Sequence, residues 1–234
     1  MTSAALPLAR TSSLLVPTVV KQCWLFMIGS ALFAAGSAPV LSEQMGSQLS
    51  NLLFFIGAWF FTAAGLIQVF LSGAVAVAVP YAPGRMVRAE WLTASTQSFG
   101  TLLFNVSTTA ALHAKSITAQ EKLVWNPDAG GSVAFLISGC VAFIAFAHTG
   151  SSWRLSSAAC WSVVINFVGC VAFAVSAIGS FILPGGNTVN DDFATWGTFT
   201  GAICFFVASL VVLPGAASRH RSQQRTAAQT SQNG

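Results

Sequence analysis

The residues in this chain best equipped for chemistry are few and far apart. His113 and His148 are the histidines nearest the apolar segments, and the order of those segments puts them at opposite ends, so they cannot share a metal or form one acid-base couple. A serine nucleophile needs a base within hydrogen-bond reach, and His113 with Asp128 is the one relay the topology allows. The acids Glu43, Glu121, Asp128, Asp191 and Asp192 include a single adjacent pair and no calcium-loop spacing. Cys23, Cys140, Cys160, Cys170 and Cys204 show no C-x-x-C pair and read as small buried hydrophobes. No glycine-rich phosphate loop followed by lysine is present. The sequence therefore assigns no catalytic, cofactor-binding or metal-binding residue, and the expectation is a protein that is not an enzyme. The side chains with polar chemistry deep in apolar segments are neutral amides: Gln68, Gln97, Asn105 and Asn166. Gln97, Asn105 and Asn166 are the candidates for lining a solute path or for interhelical hydrogen bonds.

The elements that hold these amides follow from composition. Charged residues make up 7% of the 234 and hydrophobic ones 54%, too little charge to coat a soluble globule, for which about 25% is usual. A bilayer core of about 30 Å takes roughly 20 helical residues to cross. Apolar runs bounded by glycine, proline and polar clusters predict helices over 23–41, 51–72, 91–112, 131–149, 157–183 and 194–213, the second able to run on to Val79. Asn126 and Pro127 read as an N-cap and first-turn proline opening the fourth. The third run is the most polar and crosses lipid only if its polar groups face other helices. Residues 1–22 form an N-terminal segment, and Pro39 argues against leader cleavage after the first run, which reads as a helix. Residues 214–234 are basic and rich in Gln, Ser and Thr, and predict a disordered tail that could meet anionic lipid or a cytoplasmic protein.

With six crossings, eight of the ten lysines and arginines (Arg10, Lys21, Arg85, Arg88, Arg154, Arg219, Arg221 and Arg225) share the side of both termini, leaving Lys115 and Lys122 opposite. By the positive-inside rule both termini are cytoplasmic, in a plasma membrane protein. The net charge of +4 is scattered rather than gathered into a patch, which excludes nucleic acid as a partner. Six of the seven tryptophans (Trp24, Trp91, Trp125, Trp153, Trp161 and Trp196) fall near predicted helix ends, as an interfacial belt does, and Trp59 lies within a helix.

One pattern recurs in every predicted helix: a glycine followed four residues later by phenylalanine. It occurs at Gly29 and Phe33, Gly57 and Phe61, Gly100 and Phe104, Gly131 and Phe135, Gly169 and Phe173, and Gly201 and Phe205, with an extra case at Gly139 and Phe143. Seven of 20 glycines obey it, against about 1.6 expected if the 19 phenylalanines were spread at random. A small residue follows at seven from the glycine in odd helices (Gly36, Ser107, Ser176) and at eight in even ones (Gly65, Gly139, Ser209). Odd-helix glycines are 71 and 69 residues apart and even-helix ones 74 and 70. The unit is thus a two-helix hairpin used three times as a parallel repeat. The fold expected is an all-α integral membrane bundle of six transmembrane helices in three hairpins, about 23–72, 91–149 and 157–213. Glycine marks close helix contact in lipid. A plug of Phe33, Phe104 and Phe173 on a pseudo-threefold axis would favour a structural role over a solute path.

The stretch Trp125, Asn126, Pro127, Asp128, Gly131, Ser132 and Phe135, together with Asn166, Gly169, Phe173 and Ser176, resembles the bacterial YrhK-like membrane domain, a short helical-hairpin module. The resemblance implies the hairpin fold and carries over no activity or catalytic residues.

Overall fold

The computed structural model describes residues 16–78, 85–148 and 157–232. Arg10, Trp153 and Arg154 lie outside the described residues. Among the described residues six long helices carry the fold: α1 (Val19–Ser37), α2 (Pro39–Leu71), α3 (Ala89–Ala111), α5 (Asn126–His148), α6 (Ala158–Gly179) and α7 (Asp191–Gln232). A single turn, α4 (Ile117–Ala119), leads into α5, and a short hairpin of β1 (Ala76–Ala78) and β2 (Arg85–Val87) joins α2 to α3. Among the described residues five helical spans, 19–37, 44–71, 117–148, 158–179 and 191–215, are long and apolar enough to cross a bilayer, which makes this a multi-pass membrane protein.

Each boundary has a local cause. Thr18 caps α1 by accepting the Lys21 N–H at 3.2 Å. Pro39 forces the preceding Ala38 into extended backbone (φ −62°, ψ 119°), so α1 stops at Ser37 and α2 begins at once, earlier than the 51 predicted. Gly46, at φ 78° and ψ 160°, then bends α2 into a short entry segment and a long span. Gly73, also at φ 78°, follows the C-terminus of α2, and Arg88 donates to Ser72 O at 3.0 Å. The predicted extension to Val79 is therefore corrected: Ala76–Ala78 leave the helix to pair antiparallel with Arg85–Val87.

Asn126 is not an N-cap. Ser116 is, accepting the Ala119 N–H at 3.2 Å, and the chain stays helical through a π-helical turn over Gln120–Trp125. Asn126 continues it with helical backbone, its N–H bonded to Glu121 O, five residues back. Pro127 has no N–H to give and its ring crowds the preceding turn; the π-helical turn sits directly before it. Beyond Pro214 the predicted disordered tail is instead helical to Gln232, in keeping with the helix propensity of its alanines, glutamines and arginines.

The long helices form a closed ring. α1 packs on α2, α2 on α3, α3 on α5, α5 on α6, α6 on α7, and α7 returns to α1. α3 turns its polar side inward: Gln97, Ser98, Thr101, Asn105, Ser107 and Thr108 are buried, while Leu92, Phe99, Leu102 and Val106 are exposed.

Candidate functional site

The centre of the ring is aromatic. Phe33, Phe61, Phe104, Phe135, Phe173 and Phe205 belong to one buried cluster, none more than 5% exposed. Ring centroids within consecutive helix pairs lie 5.3 Å apart for Phe33 and Phe61, 5.0 Å for Phe104 and Phe135, and 5.6 Å for Phe173 and Phe205. Across pairs, Phe33, Phe104 and Phe173 form a triangle with sides of 6.5, 6.2 and 5.8 Å. Phe205 reaches Phe61 at 6.1 Å and Phe135 at 5.4 Å, giving a second layer. Most of these contacts are edge-to-face or tilted, the arrangements that aromatic quadrupoles favour.

The glycines let the rings meet. A Cβ added to Gly57 would come within 2.8 Å of the Phe33 ring and 3.1 Å of Gly29 O, and one added to Gly29 within 3.0 Å of Gly57 O. The same reciprocity joins Gly100 to Gly131 O at 3.0 Å, and Gly201 to Gly169 O at 3.2 Å, with Phe135 and Phe173 lying over the respective glycines. The residue after each glycine is also sealed in: Ser30, Ala58, Thr101, Ser132, Cys170 and Ala202 are at most 1% exposed. Sequence reasoning missed this last position, although small residues fill it in all six helices. The extra pair, Gly139 and Phe143, works elsewhere: Gly139 admits Cys170 of α6, and Phe143 stacks on Phe167 at 5.2 Å.

The candidate amides divide. Asn105 Nδ2 donates to Thr62 Oγ1 at 2.8 Å, tying α3 to α2. Gln97 and Asn166 instead line a cavity of about 190 Å³, walled by all six long helices, beside the phenylalanine cluster on the side where α1, α3 and α6 begin. Phe26 and Phe205 form part of its wall. Gln97 is 4% exposed and its Oε1 accepts from Ser138 Oγ at 3.4 Å, while Asn166 Nδ2 donates to Cys170 Sγ at 3.8 Å, a weak acceptor. Gln68 also lines the cavity, and its buried Oε1 has no hydrogen-bond partner among the described residues. Gln22 joins them.

The lining follows the register of the glycines. Seven residues before the odd-helix glycines stand Gln22, Thr93 and Ser162, all facing the cavity. Three before them stand Phe26, Gln97 and Asn166. Eleven after the even-helix glycines stand Gln68, Ala142 and Val212. Extending the glycine register outward in the sequence would have found Gln22 and Gln68.

Other polar groups tie neighbouring helices together. Trp125, expected in the interfacial belt, donates Nε1 to Ala177 O at 2.8 Å and so ties the turn before α5 to α6. Ser176 Oγ lies 2.7 Å from Thr198 Oγ1 and donates to Ala194 O at 2.7 Å. Trp24, Trp59, Trp161 and Trp196 present 44–54% of their surface outward. Among the described residues no three His, Cys, Asp or Glu side chains converge on a point. The sequence matches no family model, no curated protein and no solved structure.

Proposed function

We propose that this chain is a six-pass plasma membrane protein with both termini in the cytoplasm, built from three YrhK-like hairpins around a pseudo-threefold axis. Its role is structural or interactive rather than catalytic. The observation that supports the reading is the double layer of six mutually packed phenylalanines at the centre of the ring, where a solute path would have to run. Support for α3 as the sixth crossing comes from its reversed amphipathicity, with leucine, valine and phenylalanine outward and hydroxyls and amides inward. In lipid the interior of a bundle is where polar groups find partners. The basic tail beyond Pro214, with Arg219, Arg221 and Arg225, stands on the cytoplasmic side in this topology, where anionic headgroups or a protein partner would meet it.

Reconstituted into liposomes, the protein is expected to leave water and glycerol permeability at the level of protein-free vesicles. A protein-dependent flux would replace this reading with the second one, a passive channel or transporter for a small neutral solute. One observation favours that alternative: Gln97 and Asn166 line an axial cavity instead of bonding tightly across helices. The orientation has its own check. A cysteine introduced beside Glu121 should react with a membrane-impermeant thiol reagent applied outside intact cells, and reaction confined to permeabilised cells would invert the topology.

A further inference from the structure

We infer that the axial cavity is a one-sided binding site for a small uncharged molecule with an apolar body and both hydrogen-bond donors and acceptors. The repeat supplies an internal control. At the phenylalanine layer all six helices contribute the same residue and the axis closes. A few residues toward the termini the symmetry breaks: where α1 places Phe26, α3 places Gln97 and α6 places Asn166, and where α5 and α7 place Ala142 and Val212, α2 places Gln68. Had this layer only to be filled, phenylalanine at all three positions would fill it as Phe26 does. Amides at this depth are costly in a bilayer unless bonded, and a buried acceptor left unbonded costs about 1–3 kcal/mol. Gln68 Oε1 has no protein partner among the described residues and lies on the cavity wall, so only water or a guest can satisfy it.

The chemistry of the occupant follows from the walls. Among the described residues no carboxylate, lysine, arginine or histidine lines the cavity, so a charged guest would lose its hydration without a counter-charge. Gln68 Oε1 calls for an N–H or O–H donor, and the carboxamides of Gln97 and Asn166 offer both polarities. Phe26, Val163, Phe205 and Val212 supply the apolar remainder. The volume of about 190 Å³ is somewhat larger than an engineered protein cavity of about 150 Å³ that takes up benzene, which suits a single small ring bearing an amide. The inference shares its solute class with the channel reading but needs no conduction, because the phenylalanine layers end the cavity on one side. The glycerol-flux assay above therefore bears on the plug and not on this site.

The test uses the full chain in lipid nanodiscs and saturation-transfer NMR with nicotinamide as probe, nicotinate as its charged isostere, and empty nanodiscs as the blank for lipid partitioning. Expected is saturable nicotinamide binding in the millimolar range, with nicotinate at least tenfold weaker. Asn166→Phe, which installs at the third repeat the residue the first carries, should abolish binding, and Gln68→Leu should weaken it at least fivefold should Asn166→Phe fail to fold. No saturable binding up to tens of millimolar, meaning a cavity that holds water alone, would overturn the site. Equal binding of nicotinate would overturn the assigned chemistry, and undiminished binding by the folded variants would overturn the location.

Discussion

Replacing Gly100 by valine should drive α3 and α5 apart and cost the protein about 3 kcal/mol of stability or more, the upper part of the range for overpacked cores. The first carbon of the new side chain already meets Phe135 Cδ1 at 2.7 Å and Gly131 O at 3.0 Å. A ring can rotate away, but the carbonyl belongs to the main chain of α5 and moves only with the helix. The companion substitution Phe135→Leu should for that reason restore only part of the loss. Gly185→Ala, at a position with nothing within 4 Å of an added Cβ, should change stability by less than about 0.5 kcal/mol. Unfolding in mixed micelles of mild detergent and dodecyl sulfate reads all three. Equal effects at Gly100 and Gly185 would mean that the glycine contacts do not set the helix spacing.

The second large effect is expected at Phe173. Its ring lies 6.2 Å from Phe33, 5.8 Å from Phe104, 6.2 Å from Phe135 and 5.6 Å from Phe205, touching both layers of the plug. Truncation to alanine removes four aromatic partners at once and leaves a void where the two layers meet. In soluble cores Phe→Ala costs 3–5 kcal/mol. In a bilayer the unfolded reference keeps the ring in hydrocarbon, so the lost packing dominates and about 3 kcal/mol is expected. Phe70→Ala, at a ring 75% exposed, should be nearly silent in the same assay. The triple variant Phe33→Ala, Phe104→Ala, Phe173→Ala removes a whole layer and should raise water permeability above that of the unmodified protein.

Much of this arrangement was legible because it is written in spacing. The glycine to phenylalanine interval of four, repeated in each helix, anticipates both the close glycine contacts and the rings they admit, since residues four apart share a helical face. The helix ends were less legible. Ser37 and Pro39 stop and restart the chain where composition alone runs on to residue 41. The π-helical turn before Asn126 hides the true start of the span at Ile117, because a helix-compatible proline reads as a beginning wherever it falls. Polarity alone could not sort the amides. Asn105 and Asn166 are identical in type and both deep, yet one bonds Thr62 of the neighbouring helix while the other faces the cavity. Their registers against the glycine differ, Asn105 lying five after Gly100 and Asn166 three before Gly169, and register decides which way each points. The helix beyond Pro214 is not legible in composition, because polar residues that suit a disordered tail include good helix formers such as Ala, Gln and Arg.

The closed axis is tested most directly by water-edited solid-state NMR of the protein in lipid bilayers, which follows magnetisation from water into individual side chains. The account predicts rapid transfer to the side-chain amides of Gln68, Gln97 and Asn166, and none beyond the slow diffusive background to the rings of Phe33, Phe104 and Phe173 or to the Asn105 amide. Rapid transfer to those rings as well would place water along the whole axis and contradict the plug.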